Sequence, residues 1–360
     1  MLYLAIDQHR KQLTVNLRNE EGDVILRRQV STEWARVRSF LEEVQTMSLS
    51  TGGFVAILEV CGFNDWLLKL LAEYGCRETI VIQPEKQSKK KTDRRDANAL
   101  GELLWVNRQR LLAGKKVQGL RRIQLPTGAE AEDRQITALR KQLGQQRTWT
   151  INKIKHILRK HNREQECPTK GLDTIKGRKW LGQLALGAMD RLEMDMLLAQ
   201  WRLWEEQVAK VELEIKQRQR KSATAAVLAT IPGCAAYSSL ALASRIGAIE
   251  RFPRPASLAN YWGLTPGCRN SGEATDRLGS ITKQGSAMVR FILGQLVLHV
   301  LRRDGHMRAW YGRIKRRRGS KIARVAVMRR LATIIWHMVK HNQPYLSGGP
   351  PRHKLRGHAA

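Results

Sequence analysis

The 360-residue chain carries 64 Lys+Arg against 32 Asp+Glu, a formal charge of +32 with a sequence pI near 10.7. That length accommodates two or three domains with separate cores, and a basic excess spread along the chain suits a polyanion such as nucleic acid. No run approaches the ~20 apolar residues of a membrane span, and the 5 scattered cysteines form no CxxC pair, which excludes a disulfide framework or a zinc ribbon. Met1 leads straight into LYLAID with no basic leader or cleavage site, so a cytoplasmic protein is expected.

Residues 2–7 form a short apolar run closed by Asp7. Residues 12–18 alternate and residues 23–30 are β-rich, with Glu21-Gly22 as the turn between them; together the three segments predict an antiparallel meander. A helix is expected over 32–47, with Trp34, Val37, Phe40, Leu41 and Val44 on one face. FVAILE (54–59) reads as a buried strand closed by Glu59. A helix over 64–74, a strand over 78–84 and a helix opened by Thr92 complete the order β-β-β-α-β-α-β-α, the ribonuclease H-like arrangement.

KKKTDRRDANAL follows the last strand. Asp93 and Asp96 lie three apart, so on a helix both carboxylates share one face, and Lys89, Lys90, Lys91, Arg94 and Arg95 surround them. Taken alone, Thr92 as a helix cap with Asp in the first turn accounts for both acids. Asp7 and Glu59 shift the balance. If their strands are neighbours, both emerge at one sheet edge where Asp93 and Asp96 can approach, and converging carboxylates repel unless a cation is bound. Oxygen ligation favours Mg²⁺ or Mn²⁺; His9 and Cys61, close by in sequence, leave a softer metal open.

Residues 111–124 are basic and irregular, and Pro126-Thr127-Gly128 marks a break. A long polar helix is expected over 130–161. Met194, Leu197, Trp201, Trp204, Val208, Val211 and Ile215 then alternate spacings of three and four, a coiled-coil seam. Its partner is another chain or the helix over 130–161.

Residues 228–247 predict helix, Pro-Gly turn and helix, a weak likeness to a phosphate-holding helical hairpin. Residues 251–267 read as a loop broken by Pro253, Pro255 and Pro266. A polar Gly/Ser/Thr-rich stretch follows, with Ser271 beside Gly272 and Arg269, Arg277 and Lys283 around it. From composition this is an ordinary turn, although a serine among bases can attack a phosphodiester. Residues 288–301 predict a buried helix. Arg316, Arg317 and Arg318 lie in a basic run suited to phosphate contact, 322–339 form a final amphipathic helix, and 346–360 resemble a disordered basic tail. His337 and His341, four apart, lack the acid of an HExxH set.

AIDQHRKQL, the glutamate of ILEVCG and KTDRRDANAL resemble the three blocks of the DEDD transposases of the insertion-sequence 110 family, whose first domain is similar to RuvC-type resolvases. GLTP, RNSG, ITKQG and VR resemble that family's C-terminal signature. The resemblance implies that Asp7, Glu59, Asp93 and Asp96 bind the metal and that Ser271 is the nucleophile that joins DNA covalently. It departs at Cys61-Gly62-Phe63, where many members carry a Thr-Gly-Tyr-like run.

The fold class expected is α/β plus α: a RuvC-like domain over 1–110, helices with a coiled coil over 111–222, a mostly helical transposase domain with the serine loop over 223–345, and the tail. The implied activity is excision and insertion of a mobile element in a bacterial or archaeal host. Donor and target DNA, a noncoding bridge RNA and a homo-oligomer (dimer or tetramer) are the implied partners, without a membrane. The competing expectation is a RuvC-like, metal-dependent resolvase or nuclease that uses water as nucleophile. A non-catalytic nucleic-acid scaffold is a third.

Overall fold

The computed structural model describes residues 1–83, 93–118, 120–268 and 278–349, with backbone alone for 93–96, 268 and 278. The chain divides into two compact units, Met1–Leu125 and a second beginning at Pro126.

In the first unit the expected order is present: β1 (Leu2–Gln8), β2 (Gln12–Arg18), β3 (Val24–Ser31), α1 (Trp34–Leu49), β4 (Phe54–Glu59), α2 (Asp65–Glu73), β5 (Cys76–Gln83) and α3 (Asp93–Val106). β1, β2 and β3 pair antiparallel, whereas β4 lies parallel to β1 and β5 parallel to β4. Parallel strands are buried on both faces, which explains the unbroken apolar runs. Successive side chains nonetheless alternate between two cores. Leu4, Ile6, Ala56 and Leu58 pack with α1 and α2 residues such as Phe40 and Leu71, while Tyr3, Ala5, Val55 and Ile57 pack with Leu100 and Leu104 of α3.

The stretch expected to be irregular after 110 instead holds α4 (Arg108–Leu112) and a short strand β6 (Arg121–Arg122) antiparallel to β5. Ile123 N–H donates to Val81 O at 2.7 Å, and Leu111 is buried beside Leu104. These contacts carry the first unit to Leu125, beyond the expected boundary at 110.

The second unit opens with α5 (Gly128–Lys160). Thr127, placed in an expected break, caps it: its hydroxyl accepts from Glu130 N–H at 3.3 Å while the Glu130 carboxylate accepts from Thr127 N–H at 3.1 Å. α6 (Ile175–Gln183) leads to α7 (Ala188–Lys221). Contacts Lys160–Asp190, Arg147–Glu205, Arg140–Glu212 and Arg218–Asp133 rise along one helix as they fall along the other, so α5 and α7 form an antiparallel hairpin within the chain. The seam is filled from inside: Met194, Leu197 and Trp201 pack with Ile154, Ile157 and Leu158, and Trp204 Nε1 donates to Thr150 Oγ1 at 3.2 Å.

The remaining helices are α8 (Ala223–Leu228), α9 (Ala236–Ile246), α10 (Pro255–Tyr261), α11 (Ala287–Arg303) and α12 (Gly305–Lys340), the last interrupted at Gly319 (φ 80°, ψ 167°). α10 lies where a loop is expected. Pro255 sits in its first turn, where no backbone N–H is required, and so starts the helix rather than breaking one. Two further strands, β7 (Pro266–Cys268) and β8 (Leu278–Ile281), pair antiparallel.

Two features fix this hairpin and the chain end. At the hairpin's base Gly263 and Gly285 have φ of 67° and 83°; a Cβ at the first would overlap the carbonyl oxygen of Gln284, and at the second that of Tyr261. At the other end, Asp304 is 1% exposed and caps α12 through Met307 N–H at 2.9 Å. It also accepts from Tyr345 OH at 2.6 Å and Gly348 N–H at 2.9 Å, so the segment through Gly349, expected to start a free tail, is docked. Residues 350–360 lie outside the described residues. Burial alone would push the Asp304 carboxyl up, but donors from Gly348, Tyr345, Met307 and Ser347 outweigh it and hold the group below its ordinary value.

Gly263→Ala and Gly285→Ala should each cost about 3 kcal/mol or more, read as a lowered Tm, because the added methyl meets backbone rather than a movable side chain. For Asp304 the folded-state pKa is depressed, so its contribution is complete above the unfolded value of about 3.9 and fades as pH falls through the folded value. Asp304→Ala should therefore cost about 2 kcal/mol at neutral pH, and the gap from the unsubstituted chain in urea unfolding should narrow as pH falls below the ordinary carboxylate value of about 3.9.

Candidate active site

β1 and β4 pair with Ile6 opposite Leu58, so the next residues, Asp7 and Glu59, come side by side at the carboxyl ends of two central strands. By alternation both belong to the face of Tyr3, Ala5, Val55 and Ile57, the one covered by α3. Asp7 Oδ2 lies 3.0 Å from His9 Nε2, and its side chain is 15% exposed. The opposite face at the same level is held by an amide pair. Asn64, 5% exposed, donates to Gln8 Oε1 at 2.8 Å and to Glu59 O at 3.2 Å, and its Oδ1 accepts from Cys61 N–H at 2.6 Å. Gln8 Nε2 in turn donates to Phe63 O at 3.0 Å. Gln8 and Asn64 thus fix the chain direction immediately after Glu59, a role that sequence periodicity does not mark.

α3 crosses this face in a direction set by polar contacts with the sheet. Asn98 Oδ1 accepts from Asn16 Nδ2 at 3.3 Å, Glu102 pairs with Arg18 at 2.7 Å, and Trp105 Nε1 donates to Glu20 O at 3.1 Å. Asn16 pairs with Ala5, and Thr14 with Asp7. Going back along α3 therefore goes towards Asp7, and the helix begins at the end of the sheet where Asp7 and Glu59 lie. Asp93 and Asp96 are in that first turn, one turn before Ala97 and Leu100, which are buried against the sheet; their side chains, with those of Arg94 and Arg95, lie outside the described residues, as do Lys89, Lys90 and Lys91. Among the described residues no group of three or more His, Cys, Asp or Glu is placed to hold a metal. Two neighbouring carboxylates at a partly exposed strand edge suit a hard, oxygen-preferring cation.

Ser271, Arg269 and Arg277 fall in sequence between β7 and β8, outside the described residues; the two flanking strands and their base are described. Arg290 of α11 anchors that base, donating through Nη1 to the carbonyl oxygens of Trp262 (3.1 Å), Gln284 (3.3 Å) and Gly285 (3.1 Å). Burial lowers the Arg290 pKa from its ordinary value. Together with Gly263 of GLTP and Gly285 of ITKQG, this arginine of VR is a positioning residue, a role the motifs alone do not state. Lys283 is exposed in the returning segment, with a left-handed φ of 53°. Arg316, Arg317 and Arg318 are exposed on α12 just before its interruption. His337 and His341 stack at 6.0 Å beside Trp336.

A transposase model of the DEDD, insertion-sequence 110 type matches residues 4–162, which include Asp7, Glu59, Asp93 and Asp96. The model of the transposase IS116/IS110/IS902 family matches residues 225–312, which include Ser271. Relatives extend the likeness over most of the chain. The transposase for insertion sequence element IS1111A of Coxiella burnetii is 26% identical over 310 residues, 81% of this chain and 79% of its own. A probable family 20 transposase of Pseudomonas aeruginosa is 20% identical over 361 residues, 96% and 98% of the two chains. A putative transposase of Sinorhizobium fredii is 28% identical over 232 residues, 63% and 53%. No described helix is long and apolar enough to cross a membrane. With the acid-bearing sheet edge matched by one model and the serine hairpin by the other, the chain belongs to the IS110 family of insertion-sequence transposases and is a DNA transposase.

Proposed function

We propose that the chain recombines DNA through a covalent phosphoserine intermediate, assisted by a divalent metal and guided by a noncoding RNA. The observation that carries this reading is the parallel register of β1 and β4, which sets Asp7 beside Glu59 at the end of the sheet where α3 begins. Asp7, Glu59, Asp93 and Asp96 would hold Mg²⁺, with Mn²⁺ as the alternative ion. Such an ion polarises the scissile phosphate and neutralises charge developing on its oxygens.

Ser271 Oγ attacks phosphorus and displaces one sugar oxygen, which takes up a proton; a second sugar hydroxyl then displaces the serine and reseals the strand. Arg269, Arg277 and Lys283 stabilise the pentavalent charge. Lys89, Lys90, Lys91, Arg94, Arg95, Arg316, Arg317 and Arg318 hold the nucleic-acid backbone, and base pairing to the guide RNA supplies sequence choice.

We also propose that the chain works as a homo-oligomer. α7 supports this: Leu192, Met196, Leu203 and Leu213 are exposed along it, whereas its buried seam meets α5. An apolar stripe of that kind suits pairing with a second copy.

Donor and target DNA, candidate RNA and Mg²⁺ incubated with the protein should yield a covalent protein–DNA adduct on a denaturing gel. The adduct should vanish with Ser271→Ala, with Asp96→Asn, and on chelation. Cleavage without an adduct that survives Ser271→Ala would overturn the serine route in favour of a water-using, RuvC-like nuclease.

A further inference from the structure

The second unit carries a groove of about 680 Å³ between α5, the turn before α9, and α11. Two large aromatics stand open along it, Trp149 (54% exposed) and Phe291 (44% exposed). Each has a cation at its ring: Lys153 Nζ lies 5.4 Å from the Trp149 centroid and Lys141 Nζ 5.0 Å from that of Phe291. The polar side chains Gln145, Asn152 and Gln295 also line it, and no acid does.

Aromatic rings left in water on a concave surface forgo the burial that usually places them in a core. Here each partly exposed ring has a lysine over it and amides nearby, the combination that receives a stacked base with its phosphate. The volume lies within the range of small-ligand sites, so a nucleotide fits. A second copy of this chain, itself at +32, is the poorer occupant, since an acid-free basic groove repels a basic partner. A duplex is also excluded as the stacking partner, because its internal bases already stack on their neighbours.

We propose that this groove binds a nucleic-acid segment with unpaired bases, stacking them on Trp149 and Phe291 while Lys141 and Lys153 meet the phosphates. The inference rests on the chain handling nucleic acid, and not on the metal or the serine route.

The test uses the full chain without divalent metal, so a failure of the joining chemistry does not enter. Fluorescence anisotropy would compare dye-labelled oligouridine, oligothymidine, an abasic strand of equal length and a base-paired duplex at one salt concentration. Trp149→Ala and Phe291→Ala should each weaken the two base-bearing strands roughly 5- to 100-fold and leave the abasic strand and the duplex unchanged. Trp149→Tyr should recover most of the loss. Tighter binding of oligouridine identifies the occupant as RNA, and equal or tighter binding of oligothymidine identifies a displaced DNA strand. Unchanged affinity for every probe, or an equal loss on the abasic strand, overturns the proposal. So does a changed oligomeric state by light scattering with strand affinity intact, which makes the groove an interface between copies.

Discussion

The parallel pairing of β1 with β4 is the constraint on which the acidic end of the molecule depends. Adjacent strands lie about 4.8 Å apart, and a slip of one residue would send every side chain of β4 to the other face. Both faces are filled, by Leu4, Ile6, Ala56 and Leu58 on one side and Tyr3, Ala5, Val55 and Ile57 on the other. A slip would therefore exchange two complete packings, each worth several fully buried side chains at about 1.5–3 kcal/mol apiece. Apolar packing along the strands thus decides where two carboxylates sit beyond their ends. The amide pair of Gln8 and Asn64 then sets where the chain goes next, so the position of Glu59 is fixed from both directions.

The second unit solves a different problem, how to build long helices in so basic a chain. Many of the acids on α5 and α7 are used within the hairpin. Glu205 meets Arg147 and Arg178 and accepts from Trp201 Nε1 at 3.0 Å; burial would push its carboxyl up, yet these donors hold it below its ordinary value. Partly exposed pairs of this sort contribute about 0–1 kcal/mol each, far less than burying Trp201, Met194 and Leu197. The apolar seam therefore supplies the stability and the charged rungs select the antiparallel register.

The strands and helices of the first unit were legible because their alternation and helical periodicity follow from burial on defined faces. β6 was not, since two arginines carry no β pattern and are placed only by the free edge of β5. Pro255 illustrates a sign error of a different kind: the same residue that ends a helix interior begins a helix at its first turn. β7 runs Pro-Gly-Cys, a composition that reads as loop, and becomes a strand through its partner alone. The seam of α7 was visible in its spacing, but spacing names no partner, and α5 fills it. At the site, Asp7 and Glu59 stood out because each closes an apolar strand. Gln8 and Asn64 did not, because they act on backbone carbonyls or on one another, and Arg290 showed only as a letter of the VR element, without the carbonyls it holds.

Net charge gives such a chain affinity for any phosphate backbone, and that affinity cannot by itself distinguish one segment from another. Choice requires contact with bases, either by pairing to another strand or by side chains that reach base faces and edges. Arg316, Arg317 and Arg318, exposed on α12, offer only the first kind of attraction. The proposed groove beside α5 and α11 would offer the second, since Trp149 and Phe291 stand partly exposed there, each with a lysine at its ring. Because stacking tolerates any base, such a groove reports whether a strand is unpaired rather than what it spells.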